Sequence, residues 1–173
     1  YCFEPHPNNF SILKKNFSNL SKIQFNNFGL SEQNIETTFR LEKSNSGNYS
    51  LYESAMDGQE FEEIQVILKQ RDKEISKILE NTEDNFVYKS DTQGHDQIIA
   101  SNIKDEFWSR VKLAIFELWR LPDNEFDEER FEKILSQFHN RRFEQALNEN
   151  LTPSQIIDYL KGEDKKFTDL FCW

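Results

Sequence analysis

The chain has 173 residues, and its 21 Lys and Arg against 31 Asp and Glu give a formal net charge of −10. That charge repels a phosphate backbone, which disfavours nucleic acid as a partner. The length suits a single domain over residues 1–173, with 16 Phe, 5 Tyr and 3 Trp to fill a core. Because no apolar run is long enough for a membrane span and no signal-peptide pattern opens the chain, we expect a cytoplasmic protein.

The first elements in chain order predict a β-α-β unit. Residues 1–4 form an apolar run that ends on an acid, Glu4, and Pro7 suits the first turn of a helix. The apolar positions of that helix recur at three- and four-residue steps: Phe10, Leu13, Phe17 and Leu20. Residues 23–28 then alternate like a strand, and we expect the glycine of residues 29–31 to turn the chain. Further elements are expected as strands over 36–41 and 61–68 and a helix over 72–79.

The functional prediction depends on residues 86–96. Residues 86–88 are aromatic and β-branched, which predicts a short buried strand. Isoleucines follow at helical spacing after Gly94, so the pattern indicates a strand-loop-helix unit. In an open parallel sheet, the carboxyl ends of the strands form the ligand crevice. We therefore expect this loop to present its polar side chains to a ligand, namely Asp91, Gln93, His95 and Asp96.

The remaining elements complete an α/β pattern. Residues 111–119 are nearly all apolar and predict a strand covered on both faces, and 143–147 predict a weaker strand. Two helices are expected, one capped by Asp127 and one opened by Thr152 and Pro153, before a closing strand over 167–173. This alternation predicts an α/β sandwich with a largely parallel sheet. Three predicted strands end on acids: Glu4, Asp91 and Glu117.

Each candidate functional residue also has a structural interpretation. Asp91 could orient a hydroxyl, bind a cation or accept a proton, or it could cap the next helix. His95 could act as a base near neutral pH, although an isolated loop histidine is more often solvated. Glu4 could hold a ribose or be a solvated acid, and Phe28 could stack on a base or pack in the core. Glu117 either lines the site or ends a buried strand.

The histidines and cysteines do not predict a metal site or a disulfide. His6, His95 and His139 lack the close pairing of zinc ligands. Cys2 and Cys172 lie in apolar runs, which favours small core side chains in a reducing compartment.

Four segments resemble, in this order, the FkbM-type S-adenosylmethionine-dependent methyltransferases. They are CFEPHPNNF at 2–10, GLS at 29–31, SGNYSL at 46–51 and VYKSDTQGHD at 87–96. Residues 143–173 resemble the closing hairpin of class I methyltransferase folds. The resemblance implies a Rossmann-like sandwich whose sheet is mostly parallel with an antiparallel C-terminal strand. It also implies methylation of a hydroxyl on a sugar, polyketide or similar small-molecule or glycan acceptor, with S-adenosylmethionine as methyl donor.

The resemblance also implies roles for individual residues. Glu4 matches the acid that holds the cofactor ribose, Phe28 and Gly29 fall where the adenine rests, and Asp91 matches the acid near the methyl group. We expect Asp91 or His95 to be the base, with Glu117 as a third candidate. Two positions depart from the family pattern: Ser90 replaces an apolar residue, and Asp96 replaces a more usual Glu.

The family's first strand and glycine-rich loop are not found in this chain. In the implied fold that strand lies between the strand ending at Glu4 and the one ending at Asp91. We therefore expect two unpaired strand edges in the 173-residue chain, and additional N-terminal residues in the natural protein. The alternatives are a nicotinamide-dependent oxidoreductase, which also places an acid after its second strand, and a degenerate non-catalytic domain.

Overall fold

A computed structural model describes residues 1–45, 47–56, 58–122, 125–162, 164 and 166–173. Ser46, which belongs to one of the family-like segments, lies outside these ranges. The described residues form ten strands and six α-helices. The strands are β1 (Cys2–Phe3), β2 (Phe25–Asn26), β3 (Gly29–Ser31), β4 (Ile35–Glu42), β5 (Tyr49–Ser50), β6 (Phe61–Gln70), β7 (Phe86–Ser90), β8 (Val111–Trp119), β9 (Arg141–Phe143) and β10 (Phe167–Cys172). The helices are α1 (Pro7–Asn16), α2 (Arg71–Asn81), α3 (Asp96–Ser101), α4 (Asp105–Trp108), α5 (Glu128–Leu135) and α6 (Pro153–Leu160).

The strands form three separate sheets rather than one largely parallel sheet. The two four-stranded sheets each contain both parallel and antiparallel pairs. A parallel pair joins β1 to β2, and the other two sheets have the orders β7-β8-β10-β9 and β3-β6-β4-β5. Strand β7 is parallel to β8, but β10 is antiparallel to both β8 and β9, and β4 is antiparallel to both β5 and β6. The predicted α/β class and the antiparallel C-terminal strand are confirmed. The prediction of a mostly parallel sheet is wrong. Among the described residues only a 3-10 turn at Glu53–Met56 and no α-helix lies between β4 and β6, and connections without a crossover helix favour antiparallel pairing.

Residues 29–31 form a strand and not the predicted turn. Strand β3 pairs in parallel with the end of β6, where Gly29 lies opposite Leu68. A Cβ atom at Gly29 would lie 2.7 Å from Leu68 Cδ2, so a larger residue here would force the end of the Leu68 side chain to move. The strand predicted over 23–28 is correspondingly reduced to the two residues of β2.

Strand β7 is buried on one face only. Phe86 and Tyr88 pack against the ring of Phe107, at centroid distances of 5.0 and 6.1 Å. Val87, between them, points the other way and is 69% exposed. The prediction of a fully buried strand is therefore wrong for Val87.

The C-terminal half follows the predicted caps and apolar stripes closely. Asp127 accepts a hydrogen bond from the Arg130 backbone N–H at 2.9 Å and so caps α5. Thr152 forms a capping box with Gln155 at the start of α6. The two helices bury their predicted apolar faces in the main core together with β8 and β10, through Phe131, Ile134, Leu135, Phe138, Ile156, Ile157 and Leu160.

Two local predictions differ from the structure. Helix α1 ends at Asn16, and Phe17 and Leu20 are exposed rather than part of a buried stripe. The strand expected over 143–147 is displaced to β9, and residues 144–146 form a 3-10 turn. Cys2 and Cys172 are both free thiols, of which Cys172 is buried. Within the described part of the chain, no helix is both long and apolar enough to cross a membrane.

Candidate functional site

A cavity of about 550 Å³ lies between β1 and β7. Four residues predicted from the sequence line it: Glu4 after β1, Gly29 on β3, and Asp91 and His95 after β7. Its apolar walls come from several elements, with side chains that include Phe3, Leu13, Leu30, Ile75, Ile78, Phe86, Tyr88, Ile99 and Phe107. The fold thus brings together candidates that are almost ninety residues apart in the sequence.

Glu4 is held in a fixed orientation at one end of this cavity. Its Oε1 accepts the backbone N–H of His6 at 2.8 Å, and its Oε2 accepts the hydroxyl of Tyr49 at 3.0 Å. Burial, and next the negative charge of Glu4, raise the pKa of Tyr49, so its hydroxyl remains a donor. Each carboxylate oxygen can accept a further hydrogen bond. Glu4 can therefore still bind a pair of ligand hydroxyls, with Tyr49 as a partner that sequence analysis missed.

Phe28 and Gly29 differ in their relation to the cavity. The Phe28 side chain is largely buried, with the Phe3 ring 5.6 Å away and the Lys69 ammonium 4.0 Å from its centroid. The Phe3 ring and the Lys69 ammonium therefore occupy the space beside the Phe28 ring where a flat ligand would stack. Gly29 does line the cavity, as does the adjacent Leu30. Of the adenine contacts implied by the resemblance, the structure brings Gly29 to the cavity and leaves Phe28 outside its lining.

The carboxylate of Asp91 is held by two donors. Lys89 Nζ donates to Oδ2 at 2.9 Å, and Gln93 Nε2 donates to Oδ1 at 3.0 Å. Asp91 does not cap the following helix, because the residue before α3 is His95. The structure therefore does not support a helix-capping role for Asp91. The Asp91 carboxylate lies at the cavity wall.

Asp96 instead closes the turn that follows β7. Its Oδ2 accepts the Thr92 backbone N–H at 3.1 Å and the Thr92 hydroxyl at 2.6 Å. The side chain is fully buried at the start of α3, and burial raises its pKa to about 6. Asp96 thus lies in the first turn of α3 and is not among the residues that line the cavity, although the sequence predicted that it faces a ligand. Its role in this structure is to shape the loop that carries Asp91.

His95 is half-buried and remains neutral at physiological pH. Burial, with a contribution from the positive charge of Arg71, lowers the pKa of His95 to about 4. Its Nδ1 lies 2.8 Å from the Tyr52 hydroxyl, while its buried Nε2 has no hydrogen-bond partner among the described residues. A histidine with such a low pKa is a weak general base at pH 7. Nε2 is therefore better suited to hydrogen-bond a ligand than to remove its proton.

Glu117 lies outside the cavity lining but interacts with Asp91 from the neighbouring strand β8. Burial raises the pKa of Glu117 to about 7, and the charges of Asp91 and Asp96 and a hydrogen bond with Asp91 raise it further. Trp119 Nε1 donates to Glu117 Oε2 at 2.7 Å and opposes this effect. Glu117 thus has a pKa near neutral, where a general base works best.

We expect the Glu117→Gln variant to be more stable than the parent protein at high pH. The pKa of Glu117 is about 7 in the folded chain and 4.5 as its ordinary value, so the folded state binds this proton more tightly. Stability from this group is complete below pH 4.5 and is lost as the pH rises through 7. Because Glu117 is only partly buried, we discount the effect for solvent screening to about 1 kcal/mol, or roughly 2–4 °C in Tm.

The measurement is thermal unfolding of the full-length protein at pH 5 and pH 8. We expect the Glu117→Gln variant to melt higher than the parent at pH 8, with a smaller difference at pH 5. The exposed Glu106→Gln is the matched control and should follow the parent at both values. Equal melting of Glu117→Gln and the parent at pH 8 would show that burial of this carboxylate has no cost.

Comparisons with known proteins found no relative of this chain. No protein-family model, curated protein or solved structure matches the chain. The resemblance to FkbM-type enzymes therefore rests on the four sequence segments. Across the described ranges, no group of three or more His, Cys, Asp or Glu side chains is placed to hold a metal ion.

Proposed function

We propose that this chain forms the acceptor side and the ribose-binding acid of an S-adenosylmethionine-dependent methyltransferase that acts on a hydroxyl group. The observation that carries the proposal is the shared cavity: Glu4 and Asp91, each at the carboxyl end of a different strand, both line it. The acceptor is a sugar or another small metabolite or glycan that presents a free hydroxyl.

The residues of the cavity fit the cofactor at its polar groups. The volume of about 550 Å³ is in the usual range for small-molecule sites. Glu4, already oriented by Tyr49 and His6, is suited to accept both ribose hydroxyls. His95 Nε2 is a buried polar atom that has no partner within the described ranges. When bound, S-adenosylmethionine supplies an activated methyl group on a positively charged sulfur.

The residues of this chain would provide position and a proton acceptor. Asp91, at the cavity wall, accepts the proton of the acceptor hydroxyl as its oxygen forms the new bond. His95 Nε2 hydrogen-bonds that hydroxyl and orients it. The aromatic wall of Tyr88 and Phe107 excludes water from the reacting groups. Orientation accounts for much of the acceleration, because the methyl donor is already activated.

We further propose that one more strand occupies the apolar part of this cavity, in the gap between β1 and β7, and leaves the polar end at Glu4 and Asp91 for the ligand. In the described residues β1 pairs only with β2, and β7 pairs only with β8 at its other edge. Both strands line the cavity, and the exposed Val87 lies on β7 beside it. A parallel strand placed there would satisfy the backbone groups of both edges and join two sheets into one.

Glu4→Gln tests the ribose-binding role. We expect the variant to bind S-adenosylhomocysteine about 10- to 100-fold more weakly, because hydrogen bonds to a charged group contribute about 1.5–3 kcal/mol. The measurement is isothermal titration calorimetry with the full-length protein. Tyr49→Phe is the matched control, since it removes a hydrogen bond to Glu4 but retains the charge, and it should bind within a few fold of the parent. Parent-like affinity of Glu4→Gln would exclude Glu4 from the cofactor site.

A further inference from the structure

Gln93 has a backbone conformation that its side chain alone does not favour. Its φ angle is +43°, in the left-handed region, and it is the one non-glycine residue with positive φ among the described residues. This conformation is strained for a residue with a Cβ atom and is easily adopted by glycine. Gln93 is also buried, with 8% of its surface exposed. Such strain at a buried loop position often marks a functional constraint.

Two hydrogen bonds hold Gln93 in this conformation. Its backbone carbonyl accepts the hydroxyl of Ser50 at 2.8 Å, and Ser50 is fully buried. Its side-chain Nε2 donates to Asp91 Oδ1 at 3.0 Å, while Oε1 has no hydrogen-bond partner in the described part of the chain. Within the described residues, the side-chain amide therefore donates its hydrogen bond to Asp91. Ser50 fixes the backbone from which that amide reaches the carboxylate.

The other groups around Asp91 are all charged or titratable. Lys89 Nζ contacts the second carboxylate oxygen of Asp91, but the Lys89 side chain is 59% exposed and can turn into solvent. Glu117 and Asp96 are acids whose pKa values burial raises. Gln93 differs from all of these groups because its donor is uncharged, buried and independent of pH.

We propose that Gln93 is a positioning residue that fixes the orientation of the Asp91 carboxylate toward the cavity and toward Glu117. The inference rests on the proposed function for its catalytic meaning, but the contact itself does not require methyl transfer. Without this donor, Asp91 rotates away from Glu117 toward Lys89 and solvent. Glu117 then loses a neighbouring negative charge and a hydrogen bond.

The test uses three variants of the full-length protein: Asp91→Asn, Gln93→Met and Gln93→Gly. Carbon-13 NMR of the Glu117 carboxyl group follows its titration. Asp91→Asn sets the scale, because it removes the charge of Asp91 and lowers the titration midpoint of Glu117. Gln93→Met keeps the length of the side chain without the donor, and we expect it to move the midpoint in the same direction by at least half as much.

Gln93→Gly separates positioning from folding. Because glycine relieves the left-handed strain, we expect its Tm to equal or exceed that of the parent, while kcat falls about 10- to 100-fold. KM for the methyl donor should change little. If Gln93→Met leaves the Glu117 midpoint at the parent value, or if Gln93→Gly keeps parent turnover, Gln93 does not position Asp91. A protein that fails to bind S-adenosylhomocysteine but shows the predicted midpoint shift would instead overturn the proposed function alone.

Discussion

Asp91→Asn is expected to reduce turnover of the full-length protein by about 100- to 10,000-fold, the usual contribution of a general base. The amide has the shape of the carboxylate and keeps one acceptor oxygen, so it retains the hydrogen bond from Lys89 or from Gln93 but not both. It cannot take the proton of an acceptor hydroxyl. Affinity for S-adenosylhomocysteine should therefore change by no more than a few fold, and the loss should appear in kcat.

Two further variants sharpen this result. Asp158→Asn, at an exposed position of α6, is the surface control and should keep parent activity. His95→Gln should cost less than Asp91→Asn, because the low pKa of His95 makes it a weak base at pH 7. Turnover of Asp91→Asn equal to that of the parent would remove Asp91 from the mechanism, and a larger loss in His95→Gln would transfer the role of base to the histidine.

The second large effect concerns the gap between β1 and β7. We expect the 173-residue chain alone to show no cooperative unfolding transition as a monomer, and to gain one when an added N-terminal segment supplies a strand for the gap. A strand of about five residues forms several hydrogen bonds along each edge, at about 1 kcal/mol net for each bond. It also covers Val87, whose burial contributes about 1.5–3 kcal/mol. The sum is comparable to the whole stability of a typical domain, about 5–15 kcal/mol.

Urea unfolding and hydrogen exchange measure this effect. In the extended protein the amides of β7 should exchange slowly, whereas in the 173-residue chain those at its open edge should exchange rapidly. The matched control is the same extension with two prolines in the added strand, which removes donors from the ladder. A 173-residue product that is monomeric, unfolds cooperatively and binds S-adenosylhomocysteine at micromolar strength would contradict the proposal.

Local signals in the sequence predicted the C-terminal half well. Asp127 and Thr152 are side chains that cap helices through contacts three residues away, so their roles depend only on neighbours in the sequence. The apolar stripes of α5 and α6 follow from helical spacing in the same way. Similarly, the positions of β7 and β8 followed from short β-branched and aromatic runs.

Predictions that depend on distant partners were less successful. Gly29 has the local character of a turn, and its place in a parallel strand depends on Leu68, thirty-nine residues later. The contacts of Tyr49 with Glu4 and of Ser50 with Gln93 likewise join distant segments. These residues lie in the segments that resemble FkbM-type enzymes, and this was the available signal. A single sequence does not reveal which of their side chains meet.

The most direct test of the proposed methyltransferase function is calorimetric titration of the full-length protein with S-adenosylhomocysteine and, separately, with NAD. We predict micromolar binding of S-adenosylhomocysteine and no measurable binding of NAD at the same concentrations. Binding of NAD without S-adenosylhomocysteine would identify a nicotinamide-dependent site and contradict the proposed methyltransferase. Binding of neither ligand would contradict it as well and favour a degenerate domain without a cofactor.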